Sequence, residues 1–291
     1  PEELATLEAE ATRIEEARRT LAARGGPDAV RLLANGEIPD GGGQELAASP
    51  GDPAVGIEVR VGEAVRLSIG PLSSHGADST LVEWEIVEAD GPGRWGLAAD
   101  VIDDFPGSNP RPDRSGNPGV WCFLDGRGGP RLLGEVARDL QGAAGLHSWR
   151  NGDVPSVFAN AAREPIRVWT ELPPRSVFAH PAPDGPVMIA WISPIAGKVR
   201  ISGRVRDAHP GGPDGVSWAL EHVARDIAAD LRELAAIEAR SVELARRRED
   251  LERVETAYAV VEGAPGDARL HLRGDPEKLG PVVPRRWLDL F

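Results

Sequence analysis

Oxygen-bearing side chains recur in the loop DDFPGSNPRPDRSGNPGVW, residues 103–121. Asn109, Asp113 and Asn117 are each four residues apart and precede a segment that is typical of a strand. Carboxylate and amide oxygens are the ligands that calcium prefers, so the loop could wrap around a calcium ion. It lacks the alternating acids and closing Glu of known calcium loops, and Asn-Pro pairs are ordinary turn formers. The alternatives are therefore a calcium site and a self-bonded turn.

A second polar loop, RVRDAHPGGPDGVSW (204–218), offers Asp207, His209 and Asp214 beside Trp218. Sugar-binding sites combine an aromatic face with planar hydrogen-bonding side chains, and loops on a rigid β scaffold commonly carry them. Tryptophans also serve the core, and an Asp-His pair in a Gly-Pro loop can hold its own turn. The loop therefore predicts either a carbohydrate contact or a structural turn.

The stretch GLHSWRNGDVPSVFAN (145–160) adds Trp149, Asn151 and Asn160 to the candidate ligand-binding residues. We interpret this stretch as loop. Its tryptophan and two amides are of the same residue types as the second polar loop offers, so we group them with it as a candidate carbohydrate contact.

The sequence shows no recognisable spacing of residues that is typical of a catalytic site. A hydrolase or transferase needs a carboxylate pair, a Ser-His-acid set or a metal trio. Ser73, Ser74 and His75 are adjacent but lack the strand-turn-helix context of a nucleophilic serine. We therefore expect a segment that is not an enzyme. The remaining alternative is an active site in loops 103–117 and 207–214, which would require a convergent carboxylate pair.

Composition excludes several classes of partner and cofactor. The chain of 291 residues has a formal charge of -13 and a pI near 5.0, which argues against nucleic acid or an anionic membrane as partner. The single cysteine, Cys122, excludes an intrachain disulfide and a CxxCH haem-attachment motif. No apolar run is long enough to span a bilayer. The first residues show no signal segment, so we expect a piece of a longer protein.

Two helical stripes flank the region that carries these residues. The first, from Glu2 to Arg24, has apolar residues at steps of three and four, broken only at Arg18: Leu4, Leu7, Ala11, Ile14 and Leu21. The second is broken at Ser241 and Arg248 and has the apolar residues Ile227, Leu231, Leu234, Ile237, Leu244, Leu251 and Tyr258. Two such helices bury both stripes if they pack antiparallel, so we predict a coiled-coil pair. The alternative is that each helix docks separately on the globular body.

Between the helices the pattern changes to short apolar runs bounded by Gly, Pro, Asn or Asp. A hairpin with its turn at Gly62 and Glu63 is predicted by period-two alternation over 57–69. Further strands are predicted at 80–89, 119–125, 166–172, 187–193, 198–205 and 216–222. Many short strands with turn-rich connections favour a jelly-roll-like antiparallel β-sandwich.

The predicted fold class is therefore α+β, with the β-sandwich inserted between two long helices that form an antiparallel coiled-coil pair. The predicted boundaries are 1–34 and 225–258 for the helical pair, 35–51 for a linker, 52–223 for the sandwich and 259–291 for a C-terminal lead-in. Within this scheme we interpret 25–44 as a short helix with a linker.

Tryptophan distinguishes the β region. Seven of the eight lie in it: Trp84, Trp95, Trp121, Trp149, Trp169, Trp191 and Trp218. The observation that discriminates sugar binding from a structural role is whether Trp149, Trp218 or Trp121 is exposed beside Asn and Asp side chains, and full burial of all seven would remove the main support for sugar binding.

The C-terminal sequence RGDPEKLGPVVPRRW (273–287) resembles the motif that opens the C-terminal conserved domain of large planctomycete-specific proteins associated with cytochrome c; Trp287 stands where Phe is common. The segments ADSTLVEWEI (77–86), NPRPDRSGNPGVWCF (109–123) and DGPVMIAWISPIAGKVRISGRVRDAHPGGPDGVSW (184–218) are similar to the module between the two conserved domains of those proteins. The resemblance covers most of 55–291.

The resemblance implies an extracytoplasmic protein, periplasmic or secreted, linked to sulfatases and polysaccharide breakdown, with haem only in the parent. We therefore expect a non-catalytic binding module for polysaccharide or for neighbouring domains of the parent, with no cofactor in this segment unless the loop 103–121 binds calcium. The alternative is a structural spacer, or a homodimer formed through the helices, that orients the conserved domains. The tail would be a proline-stiffened lead-in.

Overall fold

The computed structural model describes residues 2–23, 29–46, 54–212, 214–252 and 266–284. Strands make up 41% of the structure and helices 23%, so the fold is mostly β. The chain divides into two compact units, Pro1–Arg248 and Glu249–Phe291.

Three α-helices lie in the described residues: α1 (Glu2–Ala23), α2 (Leu97–Val101) and α3 (Ala228–Glu252). The strands β1 to β19 are, in chain order, Val30–Ile38, Gly43–Glu45, Ala54–Val59, Ala64–Pro71, Thr80–Glu88, Arg94–Gly96, Trp121–Asp125, Arg131–Leu132, Glu135–Ala137, Leu146–Arg150, Ser156–Asn160, Ile166–Arg167, Glu171–Leu172, Ser176–His180, Val187–Ile192, Gly197–Asp207, Val216–Val223, Ala268–His271 and Leu279–Val283.

Two antiparallel sheets form the body. The six-stranded sheet has the order β1-β17-β4-β15-β7-β8. The nine-stranded sheet has the order β2-β16-β5-β14-β11-β10-β9, with β3 also paired to β16 and β6 to β5. Their inner faces share one hydrophobic core, so the body is a β-sandwich.

Tryptophan pairs mark the centre of this core. Trp84 of β5 meets Trp121 of β7 edge to face, with ring centroids 5.5 Å apart, and these strands belong to different sheets. The ring centroids of Trp95 of β6 and Trp191 of β15, which also belong to different sheets, lie 5.1 Å apart, with the ring planes tilted by 56°. Large rings that cross the space between the sheets stabilise a sandwich because each buries extensive apolar surface.

Strands alternate between the two sheets in the double Greek-key order of a jelly roll, with β1-β17-β4-β15 in one sheet and β3-β16-β5-β14 in the other. The predicted hairpin around Gly62 is therefore wrong, because β3 and β4 lie in different sheets. Gly62 has φ +86, a left-handed conformation that favours glycine, and a Cβ there would lie 2.3 Å from the carboxylate of Asp226. The turn changes sheets instead of closing a hairpin.

Several local predictions need correction. The segment 25–44 is not a short helix with a linker, because Val30–Ile38 is a strand paired along its length with β17. The predicted strand 166–172 is a small hairpin of β12 and β13. The stretch 145–160, interpreted as loop, contains β10 and β11, and β14 was not predicted at all.

Both long helices contact the outer face of the six-stranded sheet. Leu21 of α1, and Leu231 and Leu234 of α3, belong to one buried cluster with Cys122 and Met188 of the sheet. The thiol of Cys122 is fully buried, and burial raises its pKa above the ordinary range. The helical leucines therefore cover a sheet face that would otherwise expose apolar residues to water.

The predicted fold class is wrong in its helical part, because α1 and α3 do not form a coiled-coil pair. Charged side chains join the two helices: Arg18 lies 2.9 Å from Glu238, and Arg240 lies 2.5 Å from Glu10. A cavity of about 550 Å³, lined by residues that include Leu7, separates them where a coiled coil would be packed. The breaks at Arg18 and Ser241 and the use of Leu231 and Leu234 on the sheet explain the missing seam.

The second unit contains the antiparallel hairpin β18–β19. The Lys278 ammonium lies 3.0 Å from the Asp275 carboxylate in its connection. Residues 253–265 and 285–291, including Tyr258 and Trp287, lie outside the described residues. None of the described helices combines the length and the apolarity that crossing a bilayer requires.

Candidate functional site

The outer face of the nine-stranded sheet carries an ordered set of polar side chains. Trp149 of β10 belongs to the core, so the alternation of a strand places Ser148 and Arg150 on the opposite face. Strand register sets Arg150 opposite Ser156, and Ser156 opposite His180. The three form a polar row across β10, β11 and β14.

A groove of about 340 Å³ lies over this row. We call it the outer groove and define it by Ser148, Arg150, Ser156, Phe158, Trp169, His180 and His209. Its volume is within the range of small-molecule sites. Trp169 is half-buried, and its ring meets that of Phe158 edge to face at 5.5 Å. The groove thus combines an aromatic wall with polar groups held on a rigid sheet.

Three buried polar atoms of the outer groove have no hydrogen-bond partner in the part of the chain that the structure describes: Ser148 Oγ, Arg150 Nε and Trp169 Nε1. An unsatisfied buried donor costs about 1–3 kcal/mol. Such groups are uncommon in folded proteins, and a ligand or water can supply the missing partner. Their presence together makes the outer groove the best candidate site.

His180 is held neutral in the groove. Burial, together with His75 and His209, lowers the pKa of His180 to about 4. Its Nδ1 lies 3.4 Å from Ser79 Oγ. A neutral imidazole has one donor and one acceptor nitrogen, so it can bond a ligand hydroxyl in either sense.

The tryptophans that the sequence favoured lie in the core. Trp149, Trp218 and Trp121 are 8%, 4% and 0% exposed. Trp149 Nε1 donates to the Phe105 carbonyl at 2.8 Å, and Trp218 Nε1 donates to Gln44 Oε1 at 2.7 Å. Their burial leaves no ring face for a ligand, so Trp169 alone of the seven can contribute a wall to the outer groove.

The two asparagines of the same prediction bond to the backbone. Asn151 Oδ1 accepts from the Gly134 N–H at 2.8 Å, and its amide donates to the Leu132 carbonyl at 3.1 Å. Asn160 is fully buried and donates to carbonyls that include those of Leu172 and Pro173, each at 3.0 Å. Both amides therefore hold connections between strands.

The residues of the second polar loop are divided between turns and the groove. Asp207 accepts from the Gly41 N–H at 2.6 Å and from the His209 N–H at 2.9 Å. Asp214 accepts from the Ser73 hydroxyl and backbone, and these bonds lower the pKa of Asp214. The side chain of His209 lines the outer groove, unlike those of Asp207 and Asp214.

Of the three residues of the proposed calcium loop, Asp113 and Asn117 bond each other, whereas Asn109 bonds a neighbouring strand. Asn109 bonds the backbone of Phe123 through both its oxygen, at 2.9 Å, and its amide, at 2.7 Å. Asp113 accepts from the Asn117 amide at 2.7 Å and from Trp95 Nε1 at 2.9 Å. Within the described ranges, no group of three or more His, Cys, Asp or Glu side chains is placed to hold a metal ion. Calcium binding stays a prediction.

Asp78 is a buried acid close to the groove. It follows Ala77 and precedes Ser79, both of which line the groove, and it is 2% exposed. Burial, together with the charges of Asp214 and Asp207, raises the pKa of Asp78 to about 7. The folded protein therefore binds a proton here more tightly than the unfolded chain does.

We expect Asp78→Asn to stabilise the protein above neutral pH and to have little effect at acid pH. Because the folded pKa lies above the ordinary 3.8, the contribution of Asp78 is most favourable below 3.8 and is lost as pH rises through about 7. The full change in pKa corresponds to about 4 kcal/mol, which screening and relaxation reduce to about 1–2 kcal/mol. Urea unfolding at about pH 5 and pH 8 measures the difference between variant and parent.

Asp90→Asn, at an exposed carboxylate, is the matched control and should leave the free energy of unfolding unchanged at both values. An Asp78→Asn effect that is equal at acid and alkaline pH would contradict a titrating Asp78.

Two other cavities lie beside the long helices and are less suited to a ligand. One, of about 250 Å³, lies between the helices and the six-stranded sheet and has mostly aliphatic walls. Its Arg66 is paired with Glu221 at 2.7 Å, and its Arg18 with Glu238. The other is the space between α1 and α3. Neither combines an aromatic wall with the polar row of the outer groove.

Most residues of the outer groove were not among the predicted site residues. Ser148 and Arg150 flank Trp149 in LHSWR, and this alternation is itself a strand signal that places both on one face. Trp169 was assigned to a predicted strand, and His180 follows the short apolar run SVFA, 176–179.

The chain matches no protein-family model, no curated protein sequence and no solved structure. The family resemblance noted from the sequence is therefore still a prediction.

Proposed function

We propose that this chain is a non-catalytic module that binds a carbohydrate in the outer groove. The observation that supports the proposal is the set of unpartnered polar atoms: Ser148 Oγ, Arg150 Nε and Trp169 Nε1. A sugar presents several hydroxyl oxygens on a small ring, and each hydroxyl both donates and accepts. It can therefore partner donors and a neutral imidazole in the same groove.

An aromatic wall beside polar side chains favours a sugar over a purely apolar ligand. Trp169 and Phe158 form the wall, and Ser156 and His180 belong to the polar row. An apolar ligand would leave the donors unsatisfied and lose free energy at each one. A sugar ring can contact the wall through its C–H face while its hydroxyls reach the row.

The site is carried largely by strands, which reduces the free energy lost on binding. Arg150, Ser156 and His180 are in register on neighbouring antiparallel strands, so their backbone is fixed before a ligand arrives. Preorganised groups lose little conformational entropy on binding.

We further propose that the module serves a larger extracytoplasmic protein, as the family resemblance implies.

We expect Trp169→Ala to weaken carbohydrate binding by about tenfold or more, because a ring–sugar contact and a donor are both lost. A glycan array screened with the whole chain identifies the ligand, and calorimetry measures the dissociation constants. Arg167→Ala is the matched control, since Arg167 lies in the same segment, is exposed and pairs with Glu171. It should bind as the parent does.

Absence of binding to any glycan would overturn the proposal. Self-association in a concentration series by analytical ultracentrifugation, together with that absence, would favour the structural-spacer alternative. Binding that is equal in parent and Trp169→Ala would place the sugar outside the outer groove.

A further inference from the structure

We infer that the outer groove selects a sugar that carries a carboxylate, and that Arg150 recognises the carboxylate. The inference rests on the proposed function and names the class of glycan. Of the unpartnered atoms, Arg150 Nε and Trp169 Nε1 are donors only, while Ser148 Oγ can donate or accept. The unpartnered atoms of the groove are therefore mostly donors, which an acceptor-rich ligand matches.

Arg150 makes no hydrogen bond to a carboxylate of the described residues. Its nearest acids, Glu135 and Asp153, are each 3.9 Å away, which is too long for a hydrogen bond. Arg127, on the loop after β7, shows the contrast, because its Nε and a terminal nitrogen bond the carboxylate of Asp125 at 3.0 and 2.8 Å. A guanidinium binds a carboxylate best through two parallel bonds of that kind. The Arg150 guanidinium is still able to make two such bonds to a ligand carboxylate.

The two nearby acids do not saturate Arg150. Glu135 Oε1 accepts the Gly152 N–H at 3.2 Å, so this carboxylate already holds the turn after β10. The Asp153 side chain is fully exposed, and water and salt screen its charge. A ligand carboxylate inside the groove would be less screened than either acid, so it would be the preferred partner.

The net charge limits how acidic the ligand can be. At a formal charge of -13 the protein repels dense polyanions at long range. Arg150 is the single cation among the residues that line the groove within the described chain, apart from histidines. The chemistry therefore fits a glycan with isolated uronic acid residues, not a polymer charged at every ring.

Matched pairs of trisaccharides test the inference on the whole chain by calorimetry. Each pair is a trisaccharide whose only charged group is one uronic acid residue and the same compound after reduction of its carboxyl group, in galactose, glucose and mannose series. We expect the uronate of at least one pair to bind about tenfold more tightly than its reduced partner. A neutral trisaccharide with one sulfate ester separates recognition of a carboxylate from recognition of any anion.

Arg150→Gln should abolish the preference for uronate, because it weakens uronate binding much more than binding of the reduced partner, which loses only one donor to a hydroxyl; Arg150→Lys should restore part of the preference. Asp153→Asn, which removes the acid at the rim, should strengthen uronate binding about twofold. Thermal unfolding confirms that each variant is folded.

Equal affinity for uronate and reduced partner in the parent protein would overturn the inference and leave the proposed function intact. So would tighter binding of the sulfate ester, or an unchanged preference in Arg150→Gln. Failure of every trisaccharide and of the glycan array to bind would overturn both.

Discussion

Replacing Trp121 by alanine is expected to lower the free energy of unfolding by about 3–5 kcal/mol. The ring is fully buried and meets Trp84 from the other sheet, so its loss leaves a cavity at the centre of the core. Trp121 Nε1 also donates to Asp100 Oδ2 at 2.9 Å. The Asp100 side chain is fully buried and would lose that partner. Urea unfolding followed by tryptophan fluorescence and circular dichroism measures the change.

Trp121→Phe separates the two contributions. It keeps most of the ring packing but removes the donor to Asp100, so we expect a smaller loss of about 1–3 kcal/mol. Val136→Ala, at an exposed position of β9, is the control and should change stability by no more than about 0.5 kcal/mol. A loss below about 1 kcal/mol for Trp121→Ala would contradict the packing of the two sheets around this ring.

Strands with clear alternation could be predicted from sequence. The segments Thr80–Glu88, Val187–Ile192 and Val216–Val223 were predicted within a residue or two, because β-branched and aromatic residues cluster between turn residues. Ser156–Asn160 and Ser176–His180 were missed. Each has only five residues with small and polar side chains at its ends, and pairing on both sides within the sheet, not local propensity, holds them extended.

The surface against which each helical apolar stripe packs could not be predicted from sequence. The stripes correctly predicted two long helices, but they do not say what each stripe packs against. Leu231 and Leu234 contact the six-stranded sheet, and Arg18 faces Glu238 of the other helix. The turn at Gly62 shows the same limit, because local alternation cannot tell a hairpin from a turn that changes sheets.

Of the candidate site, only His209 was predicted and is found in the outer groove. The hypothesis assumed that tryptophans beside polar loops are exposed, whereas the phase of each strand decides which side chains enter the core. In LHSWR that phase buries Trp149 and places Arg150 outside. Asparagines such as Asn160 were equally ambiguous, because an amide that bonds a ligand and one that bonds backbone look alike in sequence.

Asp125 links the core to the strand that carries Arg150, and Asp125→Ala is expected to lower the free energy of unfolding by about 2–4 kcal/mol. Its carboxylate is fully buried and accepts from Arg127, from Arg131 at 2.7 Å and from the Asn151 amide at 3.3 Å. Removal leaves these donors without their anion and loosens the turn after β10. We therefore also expect weaker uronate binding, measured on the same protein by calorimetry.

The pH dependence of stability in Asp125→Asn tests whether the negative charge of Asp125 stabilises the fold. Burial alone would raise the pKa of Asp125, but the hydrogen bonds of Arg127 and Asn151 and the charge of Arg131 together lower it below 3.8. Because the folded pKa is depressed, the stabilisation is present above 3.8 and is lost as pH falls through the folded value. The stability difference between parent and Asp125→Asn should therefore shrink on acidification. Asp103→Ala, at an exposed acid paired with Arg175, should leave stability unchanged, and an equally large loss there would contradict the role of burial.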